Sequence, residues 1–150
     1  MYRCRGLAPD APDVAVKVIR RELATERVVA RFDRERRALA RMSHPGIAPL
    51  LDSGADGDVP FVVMPFIDGV AVTEYGSLHE LSIRERVELL AQVCDAIEHA
   101  HEKGVVHRDL KPGNILVRRN RQGRAEPIVI DFGVAKLVDC LLYTSDAADD

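Results

Sequence analysis

The sequence predicts an α+β fold in which a small β-rich part that includes one helix is followed by a more helical part. Three observations predict it: β-branched runs between residues 14 and 66, an amphipathic helical pattern over residues 25–42, and a longer one that starts at Ser82. Strands collected in one part of a chain and helices in another are typical of α+β architectures. A content of 47% hydrophobic and 30% charged residues fits a globular chain.

Composition and charge exclude several classes of protein. The net charge of −3 gives no electrostatic reason to expect a nucleic-acid partner. No apolar run approaches the roughly 20 residues of a membrane span, and no signal peptide is visible. Three widely spaced cysteines, Cys4, Cys94 and Cys140, lack a C-x-x-C pairing and predict neither a disulfide framework nor a zinc site. A cytoplasmic location is expected, although a longer parent protein could be anchored through another region.

Strands account for much of the first part. Val14–Ile19 is rich in β-branched residues, and alternation places Ala15, Lys17 and Ile19 on one face. Lys17 therefore either extends from an edge strand to solvent or points into a cleft, and both alternatives stay open. Residues 47–53 and 60–66 predict two further strands, joined by a turn at Gly54–Asp58.

A helix is predicted from Thr25 to Met42, with its apolar stripe at helical spacing. Glu35 lies inside that stripe, three residues after Phe32 and four before Leu39. A buried carboxylate is costly unless a cation meets it, and Lys17 is the candidate. The alternative is a glutamate at the edge of the stripe that reaches solvent.

The clearest helix begins at Ser82, which forms an S-x-x-E capping box with Glu85. Gly104 is expected at its C-terminal end. An apolar stripe at helical spacing predicts the buried face: Val87, Leu90, Cys94 and Ile97. A shorter helix is predicted within residues 71–81.

A dense polar loop follows this helix. Val105–Val106 and Ile115–Val117 read as short buried strands, and between them lie five chemically distinct polar residues: His107, Arg108, Asp109, Lys111 and Asn114. A hairpin is predicted from residues 115–117 and 128–130, with a basic turn over residues 118–124 that is most simply a solvated loop. Asp131-Phe132-Gly133 comes directly after the second strand.

Four features, in this order, resemble the catalytic domain of protein kinases. They are Val-Ala-Val-Lys ending at Lys17, the helix glutamate Glu35, the motif H-R-D-x-K-x-x-N over residues 107–114, and Asp-Phe-Gly at residues 131–133. The resemblance covers residues 1–139 and is nearest to bacterial members of the eukaryotic-type serine/threonine kinases. It implies a bilobal fold present in part: an N-lobe over residues 1–67 without a glycine-rich loop, and the first part of a helical C-lobe over residues 68–139.

The resemblance also implies roles at the reacting phosphate. Asp109 would accept the hydrogen of the substrate hydroxyl, and Lys111 would meet the γ-phosphate of ATP. Lys17 would hold the α- and β-phosphates and be steadied by Glu35. Two side chains would bind Mg²⁺: Asn114 and Asp131.

The adenine ring has its own expected contacts. The resemblance implies an apolar sandwich from Ala15 and Leu116. Met64 matches the gatekeeper position and Pro65 the first hinge position, where the carbonyl rather than an N–H is needed. Ile67 would donate its N–H to adenine.

The implied function is ATP- and Mg²⁺-dependent transfer of a phosphoryl group to serine or threonine hydroxyls of proteins. Two alternatives are a pseudokinase-like binding or scaffold module and a small-molecule phosphotransferase of kinase-like fold. Arg108 and Lys111 favour a protein substrate. The 150-residue chain by itself is expected to be poorly soluble or loosely packed. Little or no activity is also expected, since no glycine-rich loop precedes Lys17.

The last eleven residues, Cys140–Asp150, do not resemble an activation segment. Their sequence, Cys-Leu-Leu-Tyr-Thr-Ser-Asp-Ala-Ala-Asp-Asp, resembles the in-frame translation of a transposase-type sequencing-library adaptor. We therefore expect this tail to be non-native. The alternative is an unusual activation loop with Tyr143 or Thr144 as a phosphorylation site, and resequencing of the locus distinguishes the two.

Overall fold

The computed structural model describes residues 1–5, 11–18, 39–57 and 59–132. The described residues fall into two compact units. One contains those of Met1–Arg41 and Pro49–Phe66, and the other contains Met42–Ala48 and Ile67–Phe132.

The first unit contains a four-stranded antiparallel sheet of order β1-β2-β4-β3. Its strands are β1 (Tyr2–Cys4), β2 (Val14–Val18), β3 (Asp52–Asp56) and β4 (Val59–Pro65). The strand predicted from Val14 is confirmed as far as Val18, and Ile19 lies outside the described residues.

Register in this sheet determines which side chains share a face. Ala15 lies opposite Met64 and Lys17 opposite Val62 in the β2–β4 pair. Directly opposed residues lie on the same face, and residues two apart along a strand do too. Ala15, Val62 and Met64 are buried, and Lys17 is partly buried. This is therefore the more buried face of the sheet.

The strand predicted over residues 47–53 is wrong. Strand β3 begins only at Asp52, because Pro49 interrupts the segment with a residue that has no N–H to donate to a ladder. Ile47 instead forms an isolated parallel bridge to Val129 in the second unit.

The turn predicted at Gly54–Asp58 is also shorter than expected. Strand β3 continues through Gly54 to Asp56, and the turn includes Gly57, whose φ is +57°. A Cβ at Gly54 would lie 2.8 Å from Cζ of Phe61, so a larger residue there would require the Phe61 ring to move.

The second unit packs two helices against a three-stranded antiparallel sheet of order β5-β6-β7. The strands are β5 (Val70–Ala71), β6 (Ile115–Arg119) and β7 (Ala125–Val129), and the helices are α1 (Val72–Leu78) and α2 (Ile83–Glu102). Tyr75, Leu89 and Val117 form a buried cluster between these elements. The short helix and the hairpin predicted from the sequence are both present.

Helix α2 confirms the predicted ends. The Ser82 hydroxyl oxygen accepts a hydrogen bond from the Glu85 N–H, and the Glu85 carboxylate accepts one from the Ser82 N–H at 2.8 Å. At the other end Gly104 has φ +74°, the left-handed conformation that glycine adopts without strain.

The buried stripe predicted for this helix is wrong except at Ile97, which is partly buried. The stripe that packs into the second unit is Leu89, Val93, Ala96 and Ala100. Val87 and Leu90 are 58% and 51% exposed, and Cys94 is exposed as well. Helix α2 has two adjacent apolar faces, and in the described part of the chain the sheet covers only the first.

Two further predictions concern local structure. Val105–Val106 was expected to be a buried strand, but this segment forms no strand, and Val106 is exposed while Val105 is buried. Most of the helix predicted over residues 25–42 lies outside the described residues. Within the described ranges, no helix is long and apolar enough to cross a membrane.

Candidate active site

The loop between α2 and β6 is organised by His107, which is 3% exposed. Nε2 of His107 lies 2.9 Å from the carbonyl oxygen of Ile130, and the Asp109 N–H donates to Nδ1 at 3.3 Å. A carbonyl oxygen only accepts, so Nε2 carries a proton, and Nδ1, which accepts, does not. The two hydrogen bonds fix the orientation of the His107 ring and connect the loop to the end of β7.

The rings of His107 and Phe132 stack with centroids 4.7 Å apart and an interplanar angle of 52°. This contact joins the polar loop to the residue that follows Asp131. Such tilted aromatic pairs contribute about 0.5–1.5 kcal/mol beyond burial.

Two non-glycine residues in this region have left-handed backbones. Arg108 has φ +63° and Asp131 has φ +65°. Each conformation costs on the order of 1–2 kcal/mol for a residue with a Cβ. Strain of this kind persists where surrounding contacts over-determine the backbone, and both residues adjoin partners of His107. The two segments are thus held in place by tertiary contacts rather than by local preference.

Asp109 and Lys111 form an ion pair in which Nζ lies 3.0 Å from Oδ2. The Lys111 side chain is 58% exposed and that of Asp109 is 26% exposed. An exposed pair of this kind adds little to stability, about 0–1 kcal/mol. Its arrangement suits chemistry better than stability, because it holds a carboxylate and an ammonium group side by side at an accessible position.

Asn114 stabilises the same loop through hydrogen bonds. It is buried at the end of a 3₁₀ turn, Pro112–Asn114, and its Nδ2 donates to the Asp109 carbonyl oxygen at 2.8 Å. The Ile130 N–H donates to the Asn114 carbonyl oxygen at 2.9 Å. The residue next to Ile130 is Asp131, so these bonds tie the backbones that carry both predicted metal ligands.

The donor set of Asn114 and Asp131 fits Mg²⁺. Both side chains offer oxygen, which a hard cation prefers, and Mg²⁺ commonly takes one or two protein oxygens together with water and phosphate. The Nδ2 bond to Asp109 fixes the orientation of the Asn114 amide and so assigns Oδ1 as the free ligand atom. Within the described ranges, no group of three or more His, Cys, Asp or Glu residues is arranged to hold a metal by itself.

The residues predicted to contact ATP in the first unit share one face of its sheet. These are Ala15 and Lys17 on β2 and Met64 on β4, with Ala15 opposite Met64. Pro65 ends β4 opposite Val14, where its missing N–H interrupts the ladder least. Glu35, the predicted partner of Lys17, lies outside the described residues.

Two predicted adenine contacts belong to the second unit. Ile67 is buried, and Leu116 is partly buried on β6 opposite Ala71 and Ile128. The sequence places them about fifty residues apart, and both fall within the same compact unit.

The sequence does not predict a set of contacts among Arg3, Asp13 and Phe66 at the end of β4. The Phe66 N–H donates to the Asp13 carbonyl oxygen at 3.1 Å. The Arg3 guanidinium lies 4.1 Å from the centroid of the Phe66 ring and also pairs with the Asp13 carboxylate. A cation over an aromatic face contributes about 0.5–1 kcal/mol at an exposed site. The local sequence carries no signal for this contact, because its partners come from three separate segments.

These contacts bring together the motif residues through which the sequence resembles protein kinases, the loop of residues 107–114 and the Asp131-Phe132 step. The family model described as "Protein kinase domain" matches residues 3–145, and the chain belongs to this family. The resemblance to protein kinases that the sequence motifs indicate is confirmed.

Relatives and solved structures agree with this assignment. The serine/threonine-protein kinase PkaA of Streptomyces coelicolor is 42% identical over 130 residues, which cover 84% of this chain and 23% of that protein. The solved kinase domain of Mycobacterium tuberculosis PknI is 29% identical with a TM-score of 0.69, over 85% of this chain and 52% of that one. A structure of Rad53 in complex with AMP-PNP is 29% identical with a TM-score of 0.67, over 83% of this chain and 32% of that one.

The kinase-like α+β fold predicted from the sequence is confirmed by these structures. The chain spans about half the length of the PknI kinase domain and less than a quarter of PkaA.

Proposed function

We propose that the protein to which this chain belongs is a serine/threonine protein kinase that transfers the γ-phosphoryl group of ATP to hydroxyl groups of proteins. The observation that carries the proposal is the Asp109–Lys111 pair, 3.0 Å apart, in a loop fixed by His107 and Asn114. Phosphoryl transfer depends on positioning and charge neutralisation more than on covalent chemistry, and this loop supplies both.

In the proposed mechanism Asp109 orients the substrate hydroxyl and accepts its hydrogen. Lys111 balances negative charge at the γ-phosphate, and its side chain is exposed. In this family a lysine two residues after the aspartate accompanies serine/threonine specificity.

The nucleotide contacts are proposed from the resemblance to protein kinases. Lys17, steadied by Glu35, holds the α- and β-phosphates, and the adenine contacts are Ala15, Met64, Pro65, Ile67 and Leu116. AMP-PNP is an ATP analogue, so the Rad53 complex supports ATP as the nucleotide.

Mg²⁺ is proposed to be held by Asn114 and Asp131. When bound, the ion would neutralise phosphate charge. The protein's own contribution is the pair of hydrogen bonds that fixes the Asn114 amide and joins its backbone to Ile130. A cytoplasmic location stays a prediction, and the free thiols of Cys4 and Cys94 support it.

The test compares two changes of aspartate to asparagine in the complete protein. Asp109→Asn should lower ATP-dependent phosphorylation of a protein substrate by at least about a hundredfold, the range of a lost positioned base. Asp95→Asn, on an exposed turn of α2, removes the same charge and should leave the rate unchanged. Equal rates for the two variants would refute the proposed role of Asp109.

Two further arms address the alternatives. Phosphate transfer to an aminoglycoside but not to protein would indicate a small-molecule phosphotransferase. ATP binding without transfer to either would indicate a pseudokinase-like module. The 150-residue chain alone, assayed in parallel, is expected to transfer little or no phosphate.

A further inference from the structure

The tip of the β6–β7 hairpin concentrates positive charge. Four of its seven residues from 118 to 124 are arginines: Arg118, Arg119, Arg121 and Arg124. All four are exposed, in a chain whose net charge is −3. The one acidic residue nearby in the hairpin is Glu126. A plain solvated turn does not need four like charges, which repel one another and have to be offset by a ligand or by solvent.

The guanidinium groups are only partly used by the hairpin itself. Nε of Arg118 lies 3.6 Å from Glu126 Oε2, and Nη1 of Arg119 donates to the Gly123 carbonyl oxygen at 3.1 Å. Among the residues that the structure describes, the side chains of Arg121 and Arg124 make no hydrogen bond or ion pair. Most of the donor capacity of the four arginines therefore faces solvent.

The backbone that carries these arginines is held by Asn120. Its Oδ1 accepts from the N–H groups of Gln122 and Arg124, each at 2.9 Å, and its Nδ2 donates to Glu126 at 2.9 Å. Gly123, with φ +77°, completes the turn. A tip that is ordered before a partner arrives loses less entropy on binding.

The residue types identify the class of partner. Guanidinium groups match carboxylates with paired, parallel N–H donors, which an ammonium group cannot do. No residue from 118 to 124 is apolar, so the tip lacks the side chains that enter a membrane, and it has no aromatic ring on which a base would stack. These features favour an acidic protein segment over a lipid surface or a nucleic acid.

We propose that residues 118–124, the arginine tip, form a docking surface for an Asp- and Glu-rich segment of a protein partner. The tip lies at the far end of β6 from Asn114, roughly 15 Å along a strand that rises about 3.3 Å per residue. None of its side chains belongs to the catalytic loop. The proposal goes beyond phosphoryl transfer and does not depend on it.

The experiment measures binding of a fluorescently labelled peptide of alternating Glu and Asp to the full chain by anisotropy. Arg121→Gln with Arg124→Gln should weaken binding by about tenfold, the sum of two exposed ion pairs. Arg84→Gln with Lys103→Gln removes two positive charges from α2 and its C-terminal cap and should change affinity by less than about twofold. Asn120→Ala keeps every charge but frees the turn, and a smaller loss of about threefold is expected.

Several outcomes would overturn the proposal. Equal losses in the two double variants would indicate attraction to overall charge alone. Undiminished binding in denaturing urea would show that the ordered tip is not needed. Tighter binding to phosphatidylserine vesicles or to a DNA duplex than to the peptide, lost in the Arg121 and Arg124 double variant, would assign the tip to a membrane or to nucleic acid instead. Circular dichroism of each variant checks that the fold is retained.

Discussion

The side-chain amide of Asn114 donates a hydrogen bond of 2.8 Å to the backbone carbonyl of Asp109, five residues earlier in the chain. The bond closes the loop on itself and leaves the amide oxygen, rather than the nitrogen, available to a cation. One side chain thus determines both the shape of the loop and the position of a predicted metal ligand.

Asn114→Asp tests whether the hydrogen bond donated by the Asn114 amide stabilises the fold. Aspartate has no donor, so the Asp109 carbonyl loses its partner and a carboxylate is placed in a buried position. We expect the free energy of unfolding to fall by about 1–3 kcal/mol, measured by urea denaturation at neutral pH. Gln122→Glu, the same change at an exposed position, is the control, and equal stability of the two variants would contradict the structural role.

Adjacent leucines on α2 offer a matched test of which face is buried. Leu89 is 4% exposed and Leu90 is 51% exposed. Leu89→Ala should cost about 2–5 kcal/mol of stability because it opens a cavity against Tyr75 and Val117. Leu90→Ala should cost under about 1 kcal/mol. Thermal melts that rank the two the other way would restore the stripe predicted from the sequence.

The second apolar face of α2 should promote self-association of the chain. Ile83, Val87 and Leu90 are all more than half exposed and lie one helical turn apart, a contiguous pattern that monomeric proteins usually avoid. Replacing Ile83 and Leu90 with Gln should raise solubility and lower the fluorescence of a hydrophobic dye. Unchanged dye binding would show that the dye binds an apolar surface other than this face of α2. Thr73→Gln with Glu74→Gln, on exposed polar positions of α1, serves as the control.

The start of α2 should respond to acid. The hydrogen bond from the Ser82 hydroxyl, and then that from the Ser82 N–H, lower the pKa of the Glu85 carboxyl below its usual range. A lowered folded-state pKa adds stability that is fully present above the ordinary glutamate pKa of about 4.3, and the stability is lost as the pH falls through the lowered value.

Thermal melts from neutral pH to pH values below that range test this expectation. The original chain should be more stable than Glu85→Gln at neutral pH, and the difference should disappear on acidification. A difference that does not change with pH would rule out the charged cap as its source. Ser82→Ala should cost about 1 kcal/mol at neutral pH through the lost cap.

Much of the fold could be predicted because the relevant signals are local. Ser82 with Glu85 and the glycine at 104 specify both ends of α2 within a few residues of each end. Alternation in Val14–Val18 correctly grouped Ala15 with Lys17. The residue types of the loop at 107–114 identified the family, since few other functions need that set in that order.

The incorrect predictions concern segments whose structure depends on contacts with residues distant in the sequence. Helix α2 is apolar on two adjacent faces, and its sequence cannot say which one the sheet covers. The segment around Ile47 was expected to extend β3, but the Ala48 N–H donates to the Val129 carbonyl oxygen, and Pro49 then breaks the run. A short apolar run is compatible with either outcome until its neighbour is known.

By itself the sequence determined the helix ends, the alternation of strands and the chemical content of the catalytic loop, because caps, periodicity and motif spacing are set by residues near in the chain. Only the tertiary structure decided the buried face of α2, the orientation of the His107 ring, and the left-handed backbones of Arg108 and Asp131. Each of these depends on a hydrogen bond or a packing contact with a residue outside the local segment. The free energy that selects them is supplied by the partner and is absent from the local sequence.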